Sequence, residues 1–312
     1  MQSSTFTFKA SDGKSLFVHQ WMPDAPPLRG LVHIAHGMAE HGGRYGRLAE
    51  ALARAGYAVQ ANDHRGHGGT AERDEDLGFF ASSGGWGRVV RDITELVDHW
   101  KKEHPSLPVI LFGHSMGSFL VQEIMFERPD LAAAVVLSGS NGKPSPLALA
   151  GRAVARVERK RLGERGKSPL LHSLSFESFN KAFKAPRTPY DWLSRDEAEV
   201  DRYIADPRCG FVCSTALWID LLDALPGLTK PENLAKIRRD LPIYVVAGAE
   251  DPVSERTKGI AKLVDTYRRA GLFRVTQRLY EGARHEIFNE VNRDAITADL
   301  IAWLDKNAAA PS

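Results

Sequence analysis

The sequence has few cysteines, no long apolar run and almost no net charge. Its 312 residues include only two cysteines, Cys209 and Cys213, and such a pair without neighbouring histidines favours free thiols over a metal site. No stretch approaches the roughly 18 uninterrupted apolar residues of a membrane span, and no basic start followed by an apolar run opens the chain. We therefore expect a cytoplasmic protein.

The balance of charge bounds the class of partner. Lysine and arginine number 41 against 39 aspartates and glutamates, which leaves a net charge of +2. Bulk electrostatics therefore give no support to a nucleic-acid partner. The length suits one large α/β domain with an insertion, or two modest domains.

Short β-branched apolar runs alternate with helical patterns from residue 30 onward. This alternation predicts a mostly parallel sheet with helices on both faces, preceded by an antiparallel hairpin of residues 5–9 and 16–22. The predicted buried strands are 31–34, 57–60, 109–112, 134–137 and 243–247. The predicted helices are 45–55, 86–103, 115–127, 257–270 and 294–306.

The alternation breaks down between residues 141 and 235, where prolines, basic clusters and short apolar patches replace it. We interpret residues 141–235 as an inserted, largely helical cap, and residues 1–140 with 236–312 as the core domain. Basic residues in the cap predict either a solvated face or transient contact with anionic lipid surfaces. They are Arg152, Arg156, Arg159, Lys160, Arg161, Arg165 and Lys167, interrupted by Glu158 and Glu164.

Apolar residues of the cap either pack it onto the core or line a tunnel for an acyl chain. Packing is the commoner role, because buried apolar side chains are the norm. The residues concerned are Leu147, Leu149, Val154, Leu170, Leu171, Leu174, Phe176, Phe179, Phe183, Trp192, Trp218, Leu221 and Leu222.

A sharp turn at residues 113–117 carries the first chemical signal. The apolar strand 109–112 runs directly into Gly113-His114-Ser115-Met116-Gly117, and a helical pattern follows at once. A serine in this context is held in a strained conformation with its hydroxyl above the sheet edge, as in the nucleophile turn of α/β-hydrolases. The alternative is a glycine-rich turn with a surface serine, but the flanking strand and helix favour Ser115 as nucleophile.

A serine nucleophile requires a base and a carboxylate, and in this fold both follow it along the chain. The strand ending at residue 247 leads to Glu250 and Asp251, and Pro252 stiffens the backbone beside the latter. Asp251 is therefore the predicted acid, with Glu250 as runner-up. The next strand, 274–280, leads to His285, which we predict to be the base.

Other residues compete for these roles and have simpler interpretations. His114 adjoins the nucleophile in sequence and should point elsewhere, while His36 and His41 precede the serine and break the expected chain order. Asp63 follows another strand and could be mistaken for the acid. We interpret Asp63 as structural, holding its own loop by hydrogen bonds.

The oxyanion donors should be two backbone amides. One follows the nucleophile directly, and the other comes from the glycine-bearing loop after the strand 31–34. The amides of Met116 and Met38 satisfy this, and the methionine side chains are then free to line the pocket.

Five motifs, in order, extend this interpretation to a family. The stretches HGMAEHGGRY, ANDHRGHGGT, GHSMGS, GAEDPVS and ARHEIFNE resemble the monoglyceride lipase and bacterial lysophospholipase group of α/β-hydrolases, a group similar to serine aminopeptidase S33. The resemblance covers roughly residues 30–140 and 240–300. It departs from the pattern at Ser118, where a second glycine is usual, and at Gly69-Thr70, where a small residue and a serine are usual.

The resemblance implies Ser115, Asp251 and His285 as a catalytic triad and the amides of Met38 and Met116 as oxyanion donors. It further implies an acyl-enzyme mechanism on a small-molecule acyl ester, a monoacylglycerol or lysophospholipid, with no metal and no organic cofactor. A peptidase or an acyltransferase on the same scaffold is the alternative, because fold does not fix function. A binding protein without catalysis is the remaining alternative, although no triad residue is missing.

Overall fold

One mixed sheet of eight strands organises the chain. The structure, a computed structural model, describes residues 1–144 and 146–308. The strand order is β1-β2-β4-β3-β5-β6-β7-β8, with β2 antiparallel to both β1 and β4 and the remaining neighbours parallel. The strands are β1 (Gln2–Lys9), β2 (Ser15–Met22), β3 (Gly30–Ala35), β4 (Tyr57–Asn62), β5 (Val109–His114), β6 (Ala134–Ser138), β7 (Ile243–Gly248) and β8 (Val275–Tyr280).

Helices cover both faces of the sheet. Alternate residues of β3 and β5 point to opposite faces, so Leu31 and Leu111 join one apolar cluster while Val32 and Ile110 join the other. The helices are α1 (Gly46–Arg54), α2 (Gly85–Glu103), α3 (Met116–Glu127), α4 (Pro146–Leu162), α5 (Pro169–His172), α6 (Ser178–Asn180), α7 (Glu197–Ala205), α8 (Thr215–Ala224), α9 (Pro231–Leu234), α10 (Lys258–Arg269) and α11 (Arg293–Asn307). The first cluster packs against α2, α3 and α10, and the second against α1 and α11.

The predicted architecture, an α/β-hydrolase fold with a mostly parallel sheet between layers of helices, is confirmed. Helix boundaries move by one or two residues. The main difference is at residue 115. The helical pattern included Ser115 in the helix, whereas in the structure it occupies the turn before α3.

Residues between β6 and β7 form a helical insertion that contains α4 to α9. It contributes Trp192, Leu217 and Leu221 to the apolar cluster on the α3 side of the sheet, so it is packed onto the core. Within residues 1–144 and 146–308, no helix combines the length and the hydropathy needed to cross a membrane.

The parallel strands bring their carboxyl ends to one edge of the sheet. The loops after β3, β5, β7 and β8 therefore meet there, although they are far apart in sequence. Ligand sites of open α/β sheets form at this edge. Met38, Ser115, Asp251 and His285 lie on these loops, and Met116 begins α3.

Candidate active site

Ser115 stands at a tight turn between β5 and α3. Its backbone has φ 50° and ψ −120°, a strained conformation for a residue with a side chain, and its amide donates to the carbonyl of Ser138 over 2.9 Å. The turn requires glycine on both sides. A Cβ on Gly117 would lie 2.0 Å from the carbonyl oxygen of Ala35, and a Cβ on Gly113 would lie 2.5 Å from that of Gly117.

The structure pairs the predicted base and acid. His285 Nδ1 and Asp251 Oδ1 are 2.9 Å apart, and both side chains are buried. The same carboxylate oxygen accepts the amide of Val253 over 2.9 Å, which fixes its orientation. Burial disfavours the imidazolium, but the Asp251 carboxylate outweighs that effect and raises the pKa of His285. The pair is thus built to stabilise a proton on this histidine.

The loop after β3 lies directly against the serine. A Cβ on Gly37 would be 3.2 Å from the Cβ of Ser115, and the amide of Gly37 donates to Glu40 Oε1 over 2.5 Å. Met38 comes next in this loop, and Met116 is the first residue of α3. The structure therefore brings the two predicted oxyanion donors to the same side of the turn.

An apolar cavity of about 110 Å³ joins these residues. Ser115, His285, Met38 and Met116 all line it. The helical insertion supplies much of the remaining wall, and five of the predicted tunnel residues take part: Phe176, Phe179, Trp192, Trp218 and Leu221.

Other predicted tunnel residues have different positions. Leu171 is buried in the core, whereas Leu170 and Leu174 are about half exposed. Three more, Val154, Phe183 and Leu222, pack against the core cluster. Leu147 and Leu149 lie outside the side chains that the structure describes.

The competing residues are found in other roles. Glu250 is exposed and faces Arg256 at 3.6 Å. His36 hydrogen-bonds the carbonyl of Gly37 through Nδ1 and accepts the amide of His64 through Nε2. The carboxylate of Asp63 accepts the amides of Gly42 and Gly69 over 2.8 and 2.6 Å, one oxygen each. Asp63 thus holds two loops together.

His114 lies closer to the site than the sequence suggested. Its ring centroid is 4.6 Å from that of His285, and it lines the cavity instead of pointing elsewhere. Burial and the neighbouring His285 together lower the pKa of His114 to about 4. His114 is therefore a neutral neighbour that hydrogen-bonds Ser138 Oγ at 3.2 Å.

A buried ionic network beside the site was missed by sequence reasoning. Arg44 binds Glu286 through two hydrogen bonds of 2.5 and 2.7 Å and binds Glu40 over 2.6 Å. Glu40 also accepts the hydroxyl of Tyr45. The charged residues of HGMAEHGGRY and ARHEIFNE were visible in the sequence. Which of them pair with each other depends on how the region after β3 meets the loop after β8.

Ligand types for a metal ion occur in two groups that share His41. His19, His41 and Asp63 form one group, and His41, Asp206 and Cys209 form the other. The imidazoles and carboxylates of both groups already pair with each other, since His19 bonds Asp63 at 3.1 Å and His41 bonds Asp206 at 2.9 Å. Both cysteines are free and buried in the loop before α8.

The fold and this turn define the class of protein: it is a hydrolase of the α/β-hydrolase fold with a serine at the tight turn between β5 and α3. The family described as serine aminopeptidase, S33, matches residues 26–292. The chain belongs to that family.

Relatives match nearly the whole chain. A monoacylglycerol lipase of Mycolicibacterium smegmatis is 32% identical over 96% of both chains. The human monoglyceride lipase is 30% identical over 96% of this chain and 89% of its own. Among solved structures, a thermostable carboxyl esterase from Bacillus coagulans, in complex with glycerol, is 26% identical with a TM-score of 0.90, covering 99% of this chain and 100% of its own.

Proposed function

We propose that this protein hydrolyses carboxylic esters with Ser115 as nucleophile, His285 as general base and Asp251 as the orienting acid. One observation carries the proposal: His285, which is paired with the buried Asp251, and the strained serine turn line the same apolar cavity. Both chemical steps then use groups already in place.

In the first step, His285 Nε2 takes the Ser115 proton as Oγ attacks the ester carbonyl, and the amides of Met38 and Met116 stabilise the oxyanion. The imidazolium then gives that proton to the leaving alcohol. Water, deprotonated by the same histidine, attacks the acyl-enzyme and releases the acid, while the imidazolium returns the proton to Ser115 Oγ. Asp251 keeps the proton of His285 on Nδ1 and does not itself take it.

The substrate we propose carries one medium or long acyl chain on a small polar head, as in a monoacylglycerol. The names of the relatives support this, and so does the cavity wall of phenylalanine, tryptophan and leucine side chains. A water-sized group needs about 10–15 Å³ of cavity volume. The cavity of about 110 Å³ therefore has room for on the order of eight methylenes. A lysophospholipid is the second candidate head group.

A graded panel of esters tests the chain length. Each buried methylene contributes about 0.8 kcal/mol, so kcat/KM should rise severalfold per two carbons and stop rising when the cavity is full. p-Nitrophenyl esters of two to sixteen carbons measure this, with Ser115→Ala as the inactive control. Monoolein, lysophosphatidylcholine and triolein compare the head groups. A steady preference for acetate, or triolein turnover equal to that of monoolein, would contradict the proposal.

Peptide cleavage is the alternative that the family description favours. An aminopeptidase needs a free carboxylate for the substrate amine, and the acidic residues lining the cavity are Glu40 and Glu286. Arg44 is paired with both carboxylates, so neither is free to bind an amine. Aminoacyl p-nitroanilides cleaved faster than the esters would reverse this conclusion, and acyl transfer to added alcohol would identify an acyltransferase.

We also propose that residues 141–235 act as a cap over a core of residues 1–140 and 236–312. The support is that this segment supplies Phe176, Trp192 and Trp218 to the wall above Ser115. Contact of the cap with a lipid surface remains part of this proposal, as does a cytoplasmic location, which two free buried thiols suit.

A further inference from the structure

A short segment of the helical insertion, residues 190–195, crosses the loop that carries His285; we call this segment the strap. The loop follows β8, which is an edge strand, so no further strand lies beyond it to hold the backbone there. The strap supplies that support. The amide of His285 donates to the carbonyl of Trp192 over 3.3 Å, and the amide of Glu286 donates to that of Leu193 over 2.7 Å.

Arg284 fastens the strap on either side of these two bonds. Its Nη1 donates to the carbonyl of Asp191 over 2.5 Å and to that of Ser194 over 3.1 Å. The guanidinium lies over the ring of Phe183, 4.5 Å from its centroid. One cation thus gathers the carbonyls that flank Trp192 and Leu193, and hydrogen bonds from a charged donor are the stronger kind.

A buried carboxylate joins the strap and the loop from the other side. Glu290 is fully buried, and its Oε1 accepts the amides of Arg284 and Arg195 over 2.8 and 3.1 Å. Its Oε2 accepts Arg195 Nε over 2.9 Å. Because these contacts satisfy a buried charge, the strap and the loop form one hydrogen-bonded unit.

The imidazole itself is enclosed by this unit. The indole of Trp192 lies 5.0 Å from the His285 ring, centroid to centroid, and is nearly inaccessible to solvent. Near another edge of the imidazole, a Cβ on Gly139 would come within 2.9 Å of Cε1. A shift of the strap therefore moves the ring relative to Asp251 and Ser115.

We propose that Arg284 is a positioning residue that, through the strap, holds His285 in line between Asp251 and Ser115. This inference rests on the proposed function, because it gives His285 the role of base. Arg284 is not among the residues that line the cavity. A misplacement of about 1 Å in such a site costs about 10²-fold in rate. Loss of the contacts between Arg284 and the strap should therefore lower kcat and leave substrate binding in the cavity unchanged.

Arg284→Met tests this, since it keeps a long apolar side chain over Phe183 and removes both donors. We expect kcat to fall about tenfold to a hundredfold and KM to stay within about twofold. The rate of fluorophosphonate labelling of Ser115 should fall with kcat, because both acylation and deacylation use His285. The far-downfield proton resonance of His285 Nδ1–H should weaken or disappear. Arg284→Lys, which restores a cation, should recover part of kcat, of the labelling rate and of the resonance.

Arg278→Met is the matched control. Arg278 also lies over an aromatic ring, Tyr280, and faces a carboxylate, Asp299, but it does not touch the strap. Wild-type kcat and an intact downfield resonance in Arg284→Met would overturn the proposal, as would equal losses in both variants. If Arg284→Met does not fold, Arg284→Lys carries the same comparison, with a smaller expected loss of kcat at unchanged KM. Activity that survives in Ser115→Ala would instead refute the proposed function and leave the strap unaffected.

Discussion

At the scale of single residues, two aspartates illustrate how position after a strand is separated from chemical role. Asp251 and Asp63 both follow parallel strands, β7 and β4, and both are buried. Asp251 bonds the imidazole of His285, which lines the cavity beside Ser115. Asp63 accepts the backbone amides of Gly42 and Gly69 and bonds His19, which does not line that cavity. The difference lies in the partners and not in the residue type.

We predict that Asp251→Asn lowers kcat by about 10⁴, because the amide no longer holds the reactive tautomer of His285. Asp63→Asn should keep most activity and lower the free energy of unfolding by about 1–3 kcal/mol, since an amide nitrogen then faces a backbone N–H. Kinetics beside thermal melts distinguish the two variants. A stable but inactive Asp63→Asn would show that the acid has been assigned to the wrong residue.

At the scale of elements, α4 and the turn after it carry the cluster of basic residues between positions 152 and 167 for which the sequence suggested contact with lipid. Most of them have partners: Arg152 and Arg156 both bind Asp223, and Arg165 binds Asp76. Arg159 faces Glu164, Arg161 binds Glu158, and Lys167 binds the carbonyl of Leu77. Partner carboxylates cancel much of the field that a lipid surface would meet.

We therefore predict that the protein distinguishes poorly between neutral and anionic vesicles, by less than about threefold in affinity at physiological salt. Flotation with phosphatidylcholine vesicles, with and without phosphatidylserine, measures the ratio. Asp223→Asn, which frees Arg152 and Arg156, should increase the preference for anionic lipid. A preference above tenfold in the unmodified protein, lost in the double variant Arg152→Gln and Arg156→Gln, would establish electrostatic steering instead.

At the scale of the whole molecule, buried neutral histidines make stability depend on pH. Burial lowers the pKa values of His33, His67 and His114 to about 4. It also lowers those of His36 and His64. The unfolded chain binds protons on these residues from about pH 6.5 downward, while the folded chain does not. Stability is therefore lost as the pH falls from about 6.5 toward 4.

We predict a fall of about 4 kcal/mol per pH unit near pH 5 from the first three histidines, because each contributes about 1.4. The raised pKa of His285 works in the opposite direction. Urea unfolding at pH 7, 6 and 5 measures the slope, which His33→Gln should reduce by about one proton. The exposed His99→Gln is the control, and a flat profile would show that the histidines are not held neutral.

The sequence alone was enough to predict the order of strands and helices in the core and the loops that bear Ser115, Asp251 and His285. It could do so because hydrophobic periodicity is local, and because parallel strands must bring the loops at their carboxyl ends to one edge. The glycines at 113 and 117 were informative for the same reason, since close approach of backbones excludes other residues.

The contacts that surround those residues could be learned only from the tertiary structure. The clamp of Arg284 on the carbonyl of Asp191 spans 93 positions of sequence, and the pairing of Arg44 with Glu286 spans 242. No local spacing specifies such contacts, because they depend on how the helical insertion folds back over the sheet. The position of His114 beside His285 has the same origin. It follows from the end of β5 and the loop after β8 meeting at the carboxyl edge of the sheet, and a sequence pattern carries no information about the distance between them.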